Sequence, residues 1–191
     1  MHTTDAMLDA ARAVLLRAGV EGATVQAISD ESGAPVGSLY NRFHSRKGLL
    51  ARLWLRAAQR SQAACLPALE RPEALDAAVG AALGILQFTR EEPGDAQLLA
   101  TFRREDLVSD ELEPALAEAL AQLNVPVEMA VKQLSRRLFG DAQREHVRRV
   151  MLAIVDLPLA AVQRYLLAAH RVPESLDAHV ARAVRAILEE P

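Results

Sequence analysis

Cysteine and aromatic residues are scarce in this chain, and each shortage removes a class of explanation. A single cysteine, Cys65, stands among 191 residues, so no disulfide can form within the chain. In an Ala-rich helix such a residue reads as a small buried hydrophobe, with a thiol sensor as the alternative. Aromatics supply only 4% of the residues and β-branched runs are few, which withholds the usual material of strands. Ala and Leu take their place and favour helix. There is no P-loop, dinucleotide-type glycine pattern, HExxH or Cys/His cluster, so no catalytic residue, metal or cofactor is expected. "REHVRR" lacks the Glu-x-x-His spacing of di-iron helical bundles. The N-terminal segment has no basic n-region and does not read as a signal peptide. The most apolar run, "VMLAIVDLPLAAVQRYLLAA", is interrupted by Asp156, Pro158, Gln163 and Arg164 and does not read as a membrane span. A cytoplasmic protein with no membrane partner is the expectation.

What the chain does contain is unevenly distributed. The net charge is −3, yet residues 1–65 carry eight basic against five acidic side chains, while residues 66–191 carry fourteen against twenty. A basic head on an acidic body points to a head that meets a polyanion.

Apolar periodicity predicts helices over 4–18, 25–32, 35–43 and 46–66. Thr24 is the N-cap of the second, Gly33 supplies a turn, Pro35 stands as first residue of the third, and Ser45 caps the fourth. Further helices are predicted at about 73–91, 94–103, 111–139 (interrupted near Pro126), 143–170 and 174–189. Pro158 falls inside the 143–170 run, where a proline bends a helix; two helices joined at Asp156–Leu157 is the alternative. No segment reads as a strand. The fold class is all-α, about nine helices.

The stretch "TVQAISDESGAPVGSLYNRFHSRKGLL" is a helix, a glycine-centred turn and a short helix, the arrangement of a helix–turn–helix whose second helix can enter a DNA major groove. On that second helix Leu39 and Phe43 share the inward face. Val36, Gly37, Ser38, Asn41 and Arg42 are turned out. Gly37 lets the helix approach closely, Ser38 and Asn41 can bond base edges, and Val36 can touch a thymine methyl. Thr24, Gln26, Tyr40, Arg46 and Lys47 complete the candidate DNA-binding set, with Thr24, Tyr40 and Arg46 reaching phosphates.

Thr24, Ile28, Gly33, Gly37, Leu39, Tyr40, Phe43, Ser45 and Leu49 fit the pattern of the tetracycline-repressor (TetR) family, which the chain closely resembles over about residues 5–55. The resemblance implies a DNA-binding head over residues 1–47 and a helical ligand-binding and dimerisation domain over 48–191. It implies a one-component, ligand-responsive repressor that binds a palindromic operator in double-stranded DNA as a homodimer and answers to a small-molecule effector. Pro35, Lys47 and Gly48 depart from the pattern. Lys47 adds positive charge, and Gly48 removes the Glu that would complete a capping box with Ser45.

Within the body, Trp54, Phe88, Phe102, Met129 and Gln133 are candidate pocket residues, each with plain core as its blander reading. The last two long helices carry apolar stripes, Val147, Val150, Ile154, Leu157 and Ala161 on one and Val180, Val184 and Ile187 on the other. With nothing left in the chain to cover them, these are expected at a dimer interface. The rival readings are a helical ligand-binding or scaffold protein without DNA binding, and an all-α enzyme, which no motif supports.

Overall fold

Thr3 opens the first helix, its Oγ1 accepting the Ala6 N–H at 3.1 Å. The computed structural model describes residues 3–107 and 112–189. Helix α1 (Thr4–Gly22) buries Met7, Leu8, Val14 and Leu15, and its spiral is interrupted at Gly19, where φ is 69°. Ala18, the expected end of this helix, is exposed beside that interruption. Helix α2 (Val25–Ser32) starts at Thr24, whose Oγ1 accepts the Ala27 N–H at 3.1 Å. It ends at Gly33 in the left-handed region, which a residue without Cβ enters at no steric cost.

Helix α3 (Val36–Phe43) begins one residue later than expected. Pro35 is its N-cap, not its first residue, because ψ of 141° keeps Pro35 extended. After α3, His44 turns the chain with φ of 62° into α4 (Arg46–Cys65). Ser45 caps α4 as expected, with Oγ accepting the Gly48 N–H at 2.9 Å. The absent capping-box Glu now has a physical reason. A Cβ on Gly48 would lie 2.3 Å from the Phe43 carbonyl oxygen, so this turn admits no side chain there.

A 3₁₀ turn (Leu66–Glu70) leads to α5 (Ala74–Glu91), followed by α6 (Pro93–Thr101) and a short α7 (Arg104–Leu107). The helix expected over 111–139 is two, α8 (Pro114–Gln122) and α9 (Val125–Phe139), each with Pro in its first turn, where its missing N–H costs nothing. Residue 111, its expected start, lies outside the described residues. No strand occurs among those described.

The run over 143–170 is neither kinked in two nor plainly α-helical. Helix α10 (Arg144–Met151) passes through a π-helical turn (Leu152–Asp156) into α11 (Leu157–Leu167). The Leu157 N–H reaches back five residues to the Leu152 oxygen. The wider turn lies just ahead of Pro158, which has no N–H to give, so the helix continues past the proline. This run is also the one described helix long and apolar enough to cross a membrane, with a mean hydropathy of 1.6 in its best window. Its Val150, Ile154, Val162 and Leu166 are nevertheless buried against the chain's own helices. Helix α12 (Leu176–Glu189) closes the sequence of elements.

The chain divides into two compact units, and the division differs from a break at residue 47. One unit holds the chain up to Ala58 together with Gln97–Leu123; the other holds Gln59–Ala96 and the chain from Asn124 on. The physical reason lies in α4. Leu49, Leu50, Leu53 and Ala57 share the core of Leu15, Ile28, Leu39 and Phe43, so its first half cannot be separated from the head. Leu98 of α6 joins that core, and Leu116 and Leu120 of α8 pack with Leu55 and Ala58. In the second unit α5 packs on α9, α11 and α12 and buries Ala77, Ala81 and Leu86. Arg137 holds the loop into α5 by donating to the Leu69 carbonyl at 2.7 Å.

Replacing Gly48 by Ala should lower unfolding stability by about 1–3 kcal/mol, the usual cost of forcing a methyl into a packed site. Thermal denaturation checks this; an unchanged midpoint would mean the turn opens without cost.

Candidate nucleic-acid interface

Eight residues of α3 contain two anchors, Leu39 and Phe43, at 1% and 2% exposure. Their i, i+4 spacing leaves the remaining side chains on the outer surface. Gly37, Tyr40, Asn41 and Arg42 are exposed, Tyr40 at 49%, while Val36 and Ser38 are half-buried. Gly37 is informative because it serves no internal packing. A Cβ placed there would have no neighbour within 4 Å, and its backbone is not left-handed. Glycine inside a helix costs about 1 kcal/mol relative to alanine. Among the described residues no packing contact at Gly37 offsets that cost.

The surroundings of α3 are set by hydrogen bonds. Thr24 accepts from Ala27 and keeps its own hydroxyl proton for an outside acceptor. Gln26 is exposed, and its amide donates to Asp30 at 2.8 Å. Arg42 donates from Nη1 to the Thr4 hydroxyl at 2.7 Å, crossing from the end of α3 to the start of α1. Arg46 is engaged inward. Its Nε donates to the Ala23 carbonyl at 2.7 Å and its Nη2 to the Val20 carbonyl. Arg46 thereby supplies donors to the frayed end of α1 and sets the first turn of α4 beside the N-terminus of α2. Lys47 is exposed on that same turn. Arg46 thus links the first turn of α4 to the residue ahead of the α2 N-cap. The expectation that Arg46 reaches phosphate directly is therefore revised: its described contacts are to backbone carbonyls.

In the second unit an apolar cavity of about 600 Å³ is bounded by the end of α4, α5, α9 and the α10–α11 run. Leu69, Ile85, Val131, Met151 and Ile154 form much of its wall, with Gln62, Glu128 and Lys132 among its polar residues. The five candidate pocket residues do not converge on it. Trp54 and Phe102 belong to the head unit, where the indole Nε1 donates to the Phe102 carbonyl at 3.1 Å. Phe88 is buried core, Met129 is 67% exposed, and Gln133 borders a different cleft with Arg71 and Arg137. Cys65 lies on the wall of the larger cavity, and burial pushes its thiol up to about 11. At neutral pH it is a thiol, not the thiolate that redox sensing requires.

Half of the residues in the expected dimer stripes belong to the chain's own core. Val150, Ile154, Val180 and Val184 are at most 4% exposed in the single chain, so a partner cannot bury them. Val147, Leu157, Ala161 and Ile187 are half-buried. The exposed apolar residues on this run are Leu152, Leu159 and Leu167.

A small eight-residue helix, held by two buried anchors and presenting small and polar groups outward, is the arrangement of a helix–turn–helix. Residues 7–53 match the family described as bacterial regulatory proteins, tetR family. The match covers the N-terminal head alone, which is similar to the DNA-binding head of that family. No curated protein matches it at a significant level. Among solved structures, it is similar to FadR from Bacillus subtilis in complex with stearoyl-CoA, with TM-score 0.73 and 12% identity over 97% of this chain and 98% of that one. It is also similar to PfmR from Thermus thermophilus, with TM-score 0.70 and 17% identity over 96% and 97% of the two chains. A transcriptional regulator from Rhodococcus sp. Rha1 gives TM-score 0.70 at 21% identity over 98% and 96%. At these identities the likeness is one of fold.

Gly37→Ala should stabilise the free protein by roughly 0.5–1 kcal/mol while weakening DNA binding several-fold. Urea unfolding and a duplex titration read the two effects; a loss of stability would return Gly37 to a structural role. For Cys65, the folded chain holds its proton to higher pH than the unfolded chain, whose thiol titrates near 9.0. Its contribution is complete below pH 9 and declines as pH rises toward 11. Cys65→Ala should flatten the stability profile across that window, and the wild-type thiol should label far more slowly at pH 7 than in urea.

Proposed function

We propose that the protein is a ligand-responsive transcriptional repressor that binds a pseudo-palindromic operator as a homodimer. The observation that carries this reading is the outer face of α3, where a helix-destabilising Gly37 with no internal role sits between Val36, Ser38 and Asn41. Its value lies in letting the helix backbone approach an outside partner. Thr24, Tyr40 and Lys47 are the phosphate-directed groups, and Arg46 acts behind them by fixing the first turn of α4. A two-fold dimer presents two such heads, so operator symmetry follows protein symmetry.

The dimer face of this proposal is the exposed row Leu152, Leu159 and Leu167. Three large apolar side chains on one helical run suit a second copy of the same run. The sensing reading rests on the 600 Å³ apolar cavity. Its wall calls for a largely apolar effector held by few polar contacts. Because the similar FadR fold is in complex with stearoyl-CoA, long-chain acyl compounds are the first ligands to test here. Helix α4 contributes to both units: Leu53 and Ala57 pack in the head, and Gln62 and Cys65 line the cavity. A ligand relieves repression only to the extent that it prefers the DNA-incompetent state.

A salt titration on a palindromic duplex tests the reading. Lys47 and Arg42 from two subunits give about four cations, hence a log–log slope near −4. A flat response removes DNA as the partner. Leu159→Arg should yield a monomer at micromolar concentration with weakened operator binding, whereas a monomeric wild type removes the homodimer. A steep slope unchanged by any acyl ligand, with no ligand-induced rise in thermal midpoint, removes acyl sensing.

A further inference from the structure

The outer face of α3 has a chemical bias that bears on which base pairs it reads. Arg and Lys are the usual donors to guanine O6 and N7, Asn and Gln pair with adenine N6 and N7, and apolar groups meet the thymine methyl. The first six residues of α3, Val36 to Asn41, include no cation. The one cation of the helix, Arg42, lies in its last turn and is hydrogen-bonded to Thr4 of α1 at 2.7 Å. Recognition helices read base edges chiefly with their N-terminal residues. Gly37, with open space where a Cβ would stand, allows those turns to come close enough for a short side chain such as Asn41 to reach. Ser38 is neutral, since its hydroxyl can serve either base.

We infer that each operator half-site is read as A·T pairs in the major groove, with Asn41 bonding an adenine edge and Val36 packing on a thymine methyl. This rests on the regulatory reading above. No guanine-type donor lies between Val36 and Asn41, the Arg42 that follows is bonded to Thr4, and both adenine and thymine have a matching group. An A·T preference could also arise from groove shape without base contacts, so the test must separate contact from shape.

Full-length protein is used to select binding duplexes from a randomised palindromic pool, and the recovered site is then edited one base at a time. The expected half-site has A·T pairs at its core. Replacing one adenine by 7-deazaadenine, or one thymine by deoxyuridine, should cost about fivefold or more in affinity at the pair being read. Asn41→Ala should abolish the 7-deazaadenine penalty, and Val36→Ala the deoxyuridine penalty, while each variant retains salt-dependent binding. Urea unfolding of both variants checks that they fold. Recovered half-sites with G·C at the positions sensitive to Asn41 overturn the inference and leave the regulatory reading standing. So does an A·T preference that survives both substitutions unchanged, since it would be a reading of shape. Failure to bind any duplex overturns the inference together with the reading beneath it.

Discussion

Leu39 and Phe43 have to enter the head's core before any other residue of α3 can be aimed. The helix is only eight residues long, and isolated helices of that length do not persist in water. Its existence and its rotation about its own axis are both set by these two side chains, at 1% and 2% exposure, against Leu15, Ile28, Leu49 and Leu53. The anchors lie four residues apart on one face. Gly37, Tyr40, Asn41 and Arg42 are presented outward as a consequence.

The turn between α3 and α4 supports that constraint from the other side. His44 adopts a positive φ, and Gly48 gives up its side chain so that α4 can begin against the Phe43 carbonyl. Arg46 ties the same turn to the carbonyls of Val20 and Ala23. These features cost backbone strain, helix propensity and a cation's freedom to meet phosphate. In return the first turn of α4 is fixed to the segment that joins α1 to α2. The positive balance of the first 65 residues is thus less available to DNA than a count suggests, since Arg46, Arg52 and Arg56 are all paired within the head.

Much of this was legible in the sequence, and the failures have physical causes. The boundaries of α2 followed from Thr24 and Gly33, whose roles are local. The outward set on α3 followed from two apolar residues four apart. Periodicity alone cannot say what covers an apolar stripe, and so Val150, Ile154, Val180 and Val184 were expected at a dimer face although they pack inside one chain. Aromatic and polarisable residues drew attention as pocket linings, whereas the cavity is walled mainly by Leu, Ile and Val, indistinguishable in sequence from ordinary core. A charged Arg near a helix start reads as a phosphate contact because sequence cannot show that two carbonyls lie within its reach. The π turn ahead of Pro158 was hidden for a related reason: whether a proline kinks, splits or widens a helix depends on neighbours distant in sequence.

The claim on which the rest depends is that α3 is the element that meets DNA. Amide hydrogen exchange on full-length protein, with and without a duplex recovered by selection, tests it most directly. The account predicts that slowed exchange on adding DNA concentrates at residues 24–27 and 36–48, with the second unit changed far less. Slowing confined to α5, α9 or α12, with α3 exchanging as in the free protein, would contradict it.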